Sequence, residues 1–183
     1  MAHPSLDELT ALFQAARKAG EADKDNPEQL RIHRELLAAC PAFTPNLLRL
    51  ARLLQLIEQP DVEARESFSE AQRLLEQAVQ SSERSAPSLV ELGYYLDDLR
   101  NAPEDAFTLY QEGAAKSLET LEYAWAGMIR YWTDTRTRES LSQALQLGER
   151  ALKVFPESER ILYYVTDARR YAAQQGLLPA GEG

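Results

Sequence analysis

Three alanines, Ala71, Ala106 and Ala144, each open an Ala-x-x-x-[Leu/Tyr/Gly]-x-x-[Ala/Gly] pattern that Ala78, Gly113 and Ala151 complete. The copies lie 35 and then 38 residues apart. An α-helix turns once every ~3.6 residues, so positions seven apart return to nearly the same face. Each copy therefore marks a strip on which only small side chains separate one helix from a neighbour, and a small side chain lets helix axes approach closely. A second series, Leu50-Ala51, Leu92-Gly93 and Ala126-Gly127, 42 and then 34 positions apart, places a small residue on the helices that come before. A chain built this way is expected to fold as successive helix pairs, the second member of each pressing on the first.

Helical periodicity runs the length of the chain and nothing reads as strand. Leu6, Leu9, Leu12, Phe13 and Ala16 recur at three- and four-residue steps behind Ser5, which is placed to cap, with Asp7 and Glu8 favourable near a helix start. Leu30, His33, Leu36 and Leu37 face one way on a second helix closed by Cys40 and Pro41, and Pro45 suits the first turn of a third. Further helices are expected over 70–80, 88–100, 106–117 and 121–133, then on LSQALQLGERALKVF and ERILYYVTDARRYAAQQ, with Gly176 as a stop and Pro179 just beyond. About nine helices result, mostly joined by connections of two to eight residues, which favour antiparallel neighbours. One continuous domain over 1–176 with a short tail, 177–183, is the expected organisation, since no low-complexity tract or long linker interrupts the chain.

The best copies of the pattern, SLVELGYYLDDLRNAPEDAFTLYQEGA and ALQLGERALKVFPES, resemble the tetratricopeptide repeat, a helix-turn-helix unit of about 34 residues. Its signature has Leu-Gly in the first helix, then Ala, an aromatic and Pro in the second. The resemblance covers roughly Leu30 to Ala173. Departures are definite: Leu89 stands where the family often has Trp, Leu96 where it has Tyr, Gly148 where it has a bulky aromatic, and QPDVEARES lengthens one repeat. The resemblance implies an all-α, right-handed α-solenoid of antiparallel helix pairs, about four pairs plus a capping C-terminal helix, with first helices lining a concave wall.

The register of Leu50-Ala51, Leu92-Gly93 and Ala126-Gly127 then points Arg49, Arg52, Gln55, Glu91, Tyr94, Asp97, Asp98, Met128, Tyr131, Trp132, Tyr163, Asp167 and Arg170 into the groove. Tyr and Trp bury about 150 to 250 Å² each and keep a hydrogen-bonding group, which suits them to binding surfaces. Tyr131 and Trp132 would anchor a peptide or helix, while Asp97 and Asp98 engage a Lys or Arg. Simpler readings stand beside these. Trp125 fits a core stripe, Trp132 fits either core or groove, Asp97-Asp98 equally make a solvated helix end, and Arg49 with Arg52 equally bridge Glu residues of a neighbour. Some tetratricopeptide domains hold a terminal carboxylate with Lys and Asn on successive first helices; Leu48 and Tyr94 occupy such places here, so chaperone tails are not expected partners.

Other function classes are not favoured. The net charge of -9 divides evenly, 10 basic against 15 acidic residues in 1–92 and 10 against 14 in 93–183, so neither half offers the clustered Lys/Arg of a nucleic-acid or membrane-surface binder. No segment approaches the ~18 consecutive apolar residues of a membrane span, and the amino end lacks a secretory-signal pattern. Cys40 is the only cysteine, so no intrachain disulfide forms, and a cytoplasmic protein is expected. Cys40 beside Pro41 reads as a small buried thiol, and His3 and His33 lie in different surroundings, His3 in a frayed start. No catalytic constellation, metal site or cofactor is expected, and the chain is not expected to be an enzyme. Two readings remain: an adaptor, chaperone or inhibitor that binds a peptide or helical segment of another protein in its groove, or a structural subunit that assembles through its convex face or ends. Oligomeric state does not follow from the residues.

Overall fold

A computed structural model describes residues 4–22, 26–59 and 62–177. Among the described residues there are eight α-helices and no strand: α1 (Leu6–Ala22), α2 (Pro27–Ala39), α3 (Thr44–Leu56), α4 (Ala64–Ser81), α5 (Ala86–Arg100), α6 (Pro103–Thr135), α7 (Arg138–Val154) and α8 (Glu159–Gln174). His3, Pro179 and the expected tail beyond Leu177 lie outside the described residues.

The helix ends follow from local chemistry. Ser5 Oγ accepts from Glu8 N–H at 3.3 Å while Glu8 Oε2 accepts from Ser5 N–H at 2.7 Å, a reciprocal capping box that holds the Glu8 carboxyl below its ordinary value. Asn26 caps α2 by accepting from Glu28 N–H at 3.0 Å, Thr137 and Ser140 form a second box on α7, and Ser158 caps α8 by accepting from Ile161 N–H at 3.2 Å. Pro45 and Pro87 sit in first turns, where the missing N–H has no partner to lose. Gly176, at φ 68°, closes α8, and Leu177 N–H reaches back to Ala172 C=O at 2.9 Å.

Two elements differ from the expected boundaries. Helix α4 starts at Ala64, because Ala64, Arg65 and Glu66 are good helix formers and Glu63 already has extended backbone at the cap position. The runs expected as separate helices over 106–117 and 121–133 are one helix, α6, of 33 residues. Between them stand Leu118, Glu119 and Thr120, with no proline or glycine to break the ladder, and Thr120 Oγ1 donates back to Lys116 C=O at 2.9 Å.

The chain divides into two compact units, Met1–Ala114 and Ala115–Gly183, with α6 supplying residues 103–114 to the first and 115–135 to the second. In the first unit α1 packs on α2 and α3 on α4, while α2 meets α3 and α5 meets both α4 and α3. Its core is formed by Leu47, Leu50, Leu53 and Leu54 of α3, Leu74, Leu75 and Val79 of α4, and Leu89, Leu92 and Tyr95 of α5. In the second unit Ala126 and Ile129 of α6, Ala144 and Ala151 of α7, and Ile161, Val165 and Ala168 of α8 share one core. Trp125 is half-buried against that core, its ring edge-on to Phe155 with centroids 6.0 Å apart.

The small-residue strips do face inward. Ala71, Ala78, Ala106, Ala144 and Ala151 are fully buried, and Gly113 is buried beneath Val90 of α5, whose Cγ2 lies 2.9 Å from where a Cβ would stand. Gly93 is covered by the Tyr110 ring, with Cε1 at 2.6 Å from such a Cβ, and Gly148 by Val165 Cγ2 at 2.6 Å. Gly127 departs from the expected register: it is exposed and a Cβ there would meet nothing within 4 Å. The face of α6 in the second unit is set by Ala126 and Ile129 against α7 and α8, one position away from the register of α3 and α5. Two substitutions of the same chemistry should therefore have opposite signs. Gly93→Ala should lose about 1–3 kcal/mol through overpacking against Tyr110, exceeding the ~1 kcal/mol that alanine gains in a helix. Gly127→Ala should gain about 0.5–1 kcal/mol, and urea unfolding of the two variants measures both.

Candidate functional site

The candidates on α3 and α5 fall in the first unit. Arg49 is half-buried and Arg52 exposed one turn further on, the latter 3.9 Å from Glu91 Oε1 across to α5, a loose pair between exposed side chains that contributes little. Gln55 is turned onto its own helix, its Nε2 donating to Ala51 C=O at 2.9 Å. Tyr94 is 56% exposed and meets the edge of Tyr110 with ring centroids 5.3 Å apart. Asp97 and Asp98 are exposed at the end of α5, close enough to Tyr110 to add to the effect of burial in pushing its phenol up. The Tyr110 hydroxyl itself is buried without a hydrogen-bond partner.

The candidates on α6 and α8 fall in the second unit. Tyr131 of α6 is 68% and Tyr163 of α8 63% exposed, and Met128, three residues before Tyr131, is exposed as well. Trp132 is half-buried against the second core, which leaves less of its ring for a partner than Tyr131 offers. Asp167 and Arg170 form an ion pair at 2.9 Å on α8, and Arg170 also lies over the Tyr171 ring at 4.9 Å. Tyr163 packs edge-on against Tyr164 at 5.3 Å.

A cleft that the residue pattern did not single out opens between α1 and α3, with a volume of about 1030 Å³. Phe13, Leu53, Leu56 and Ile57 give it an apolar floor and rim, Arg17, Arg49 and Arg52 give it charge, and Gly20 and Glu21 complete it. Helix α1 can stand this way because Ala16 is fully buried and Gly20 leaves room for the Gln29 side chain of α2, which a Cβ would strike. Ala16 and Gly20, four apart, are the signal in the sequence that marks α1 as a packing helix of the same kind. Leu48, noted as unsuited to a carboxylate clamp, is half-buried against the first core.

A buried polar staple lies behind this cleft. Asn46 of α3 donates Nδ2–H to His33 C=O at 2.9 Å, so its Oδ1 is the acceptor facing His33 Nδ1 at 2.7 Å, and the imidazole carries its proton on Nδ1. His33 is fully buried and its Nε2 has no partner. Phe13 closes over the ring edge-on at 5.6 Å and meets Phe43 at 5.5 Å. Burial pushes the His33 pKa down, against the Asn46 hydrogen bond and together with the positive charge of Arg49. Cys40, expected to be buried, is half-exposed: it is the C-cap of α2, its N–H donating to Leu36 C=O at 2.8 Å, and at the cap it has left the helix face that the core covers. Among the described residues no group of His, Cys, Asp or Glu is placed to hold a metal ion, and no helix is long and apolar enough to cross a membrane.

With paired helices, small-residue contacts and exposed aromatics in place, comparison with known proteins agrees on the class. The model of a Myxococcota tetratricopeptide repeat protein family matches residues 1–83. An uncharacterized 18.1 kDa protein in the carS 3′ region of Myxococcus xanthus is 35% identical over 148 residues, which covers 81% of this chain and 84% of the relative. The chain belongs to this tetratricopeptide repeat family. The match begins upstream of Leu30 and spans α1 to α4. Members of such families are protein–protein interaction modules and are typically non-catalytic.

The depressed His33 pKa fixes the sign of a pH dependence. The neutral ring is favoured in the folded state, so its contribution is complete above the unfolded value of ~6.5 and is lost as pH falls through the lower native pKa. The His33 ring carbons should titrate in NMR with a midpoint below ~6.5, and the melting temperature should fall over the same interval. Asn46→Ala should cost about 1–3 kcal/mol in urea unfolding, since it strands the buried His33 Nδ1–H, while the His33 carbonyl keeps its partner within α2.

Proposed function

We propose that the chain is a non-catalytic adaptor, chaperone-type or inhibitor-type module that holds a peptide or helical segment of a partner protein. In the first unit the segment lies on the inner wall made by the first helices of successive pairs, α1, α3 and α5, against Arg49, Arg52, Gln55, Glu91, Tyr94, Asp97 and Asp98. In the second unit the corresponding surface is Met128, Tyr131, Trp132, Tyr163, Asp167 and Arg170. The observation that carries this reading is that Tyr94, Tyr131 and Tyr163 each keep more than half of their surface exposed on helices whose opposite faces build the cores. An aromatic ring left in water on a rigid helix has apolar area to give to a partner at little cost in side-chain order. Exposed carboxylates and guanidinium groups around the rings supply orientation rather than most of the affinity. A half-exposed, unpaired Cys40 suits a reducing compartment, and we assign the module to the cytoplasm.

Photo-crosslinking side chains at Tyr94 and Tyr131 should capture the partner, whereas the same groups at Arg73 and Gln80, exposed on α4, should not. Tyr131→Ala combined with Asp98→Ala should weaken partner binding by about tenfold or more at unchanged melting temperature. Adducts from the α4 positions alone, or binding unchanged in the double variant, would remove the support for this surface.

A further inference from the structure

We infer that the cleft between α1 and α3 receives an acidic, amphipathic segment of the partner chain, its carboxylates on Arg17, Arg49 and Arg52 and an aliphatic or aromatic side chain on Phe13, Leu53, Leu56 and Ile57. This rests on the interaction reading above and names the chemistry of what is bound. It also extends the surface to α1.

Charge complementarity is the first ground. The whole chain carries -9, yet the cleft is lined by three arginines and one acid, Glu21. The arginines are poorly compensated. Arg17 stands 4.0 Å from Glu21 and Arg52 3.9 Å from Glu91, both at the limit of an ion pair between exposed groups. Arg49 makes no ion pair among the described residues, and its Nε is buried without a hydrogen-bond partner. Arg49 is only half-buried and lines the cleft, so a carboxylate entering there supplies the counter-charge its guanidinium lacks. Other arginines of the first unit show what a full match looks like: Arg34 holds Glu70 at 3.0 Å, and Arg84 grips Glu112 through Nε, at 2.7 Å, and one terminal nitrogen.

The apolar lining is the second ground. Leu56, 69% exposed, ends α3 at the cleft rim, while Leu53 and Ile57 are buried at its floor and Phe13 is held by His33 and Phe43. A volume of about 1030 Å³ admits several side chains of an extended or helical segment, not only one ion. An inorganic anion would leave the Leu56 rim wet, and a purely apolar segment would leave the three cleft arginines without a counter-charge. Arginine rather than lysine throughout favours planar carboxylate recognition with two parallel hydrogen bonds.

The test uses the full chain and fluorescent peptides capped at both ends, in three sets: Asp/Glu with Leu/Phe, the same with Lys in place of Asp and Glu, and the same with Ser in place of Leu and Phe. The acidic-apolar set should bind at least about tenfold more tightly than either of the others by fluorescence anisotropy. Arg17→Glu with Arg52→Glu alters exposed side chains only, should keep the melting temperature, and should reverse the preference toward the Lys set. Arg49→Ala should weaken the acidic set by about tenfold, with unfolding curves recorded beside it. Equal binding of the acidic and Lys sets to the native chain, or a reversed variant with unchanged preference, would overturn the assignment. If that happens while the crosslinks at Tyr94 persist, only the partner chemistry is wrong; if the crosslinks are lost as well, the interaction reading goes with it.

Discussion

Close approach of helices through missing side-chain volume is the constraint on which the rest depends. Gly93 yields its space to the Tyr110 ring, Gly113 to Val90, and Gly148 to Val165. In each contact one partner is as small as chemistry allows and the other is bulky, so volume is conserved across the interface and not within either helix. The middle position of the repeated pattern shows this directly. Tyr110 is large where α5 offers Gly93, and Gly148 is small where α8 offers Val165. The absence of an aromatic at 148, a departure from the family signature, is thus a reversal of which helix supplies the bulk.

That volume exchange also explains which aromatic groups are left exposed. Once the inward strips are filled by alanine, glycine and leucine, the aromatic residues on the same helices have nowhere to go but outward or into a shared second layer. Tyr95 takes the inward route on α5, fully buried with its hydroxyl donating to Phe68 C=O at 2.6 Å, and its neighbour Tyr94 takes the outward one. Trp132 is the intermediate case, packed on a core flank. Rigid backbone under exposed rings lowers the ordering cost that burying them against another surface would carry.

Helix identity and the buried small strips were legible from residue periodicity, because both are consequences of a single local geometry that each residue type reports. Three features were not. The continuity of α6 depends on the absence of a breaker between 117 and 121, and a repeat pattern read from its neighbours implies a turn there that the residues do not encode. The position of Gly127 depends on how the second core rotates α6, which no dipeptide match can reveal. The α1–α3 cleft was missed because α1 carries its small pair, Ala16 and Gly20, four apart instead of seven. Arg49 and Arg52 were visible as candidates; Arg17, which joins them only through the packing of α1, was not.

The sign of the overall charge was a poor guide to the sign of the site, and the reason lies in the range of the forces. At physiological ionic strength charges are screened over ~8 Å, so a carboxylate in the α1–α3 cleft responds mainly to Arg17, Arg49 and Arg52 and only weakly to the acidic excess elsewhere. Arg49 and Arg52 are three residues apart on one helix, which sets their side chains within about 5–6 Å of each other at Cβ. Partial burial of Arg49 lowers the local dielectric and strengthens its pairing with an incoming oxygen. The net charge of -9 acts instead at long range, opposing the approach of acidic chains in general. A segment held by such a cleft must therefore bring apolar groups to Leu56 and Phe13 as well as carboxylates, and that double requirement makes a mostly acidic protein selective for a few acidic segments.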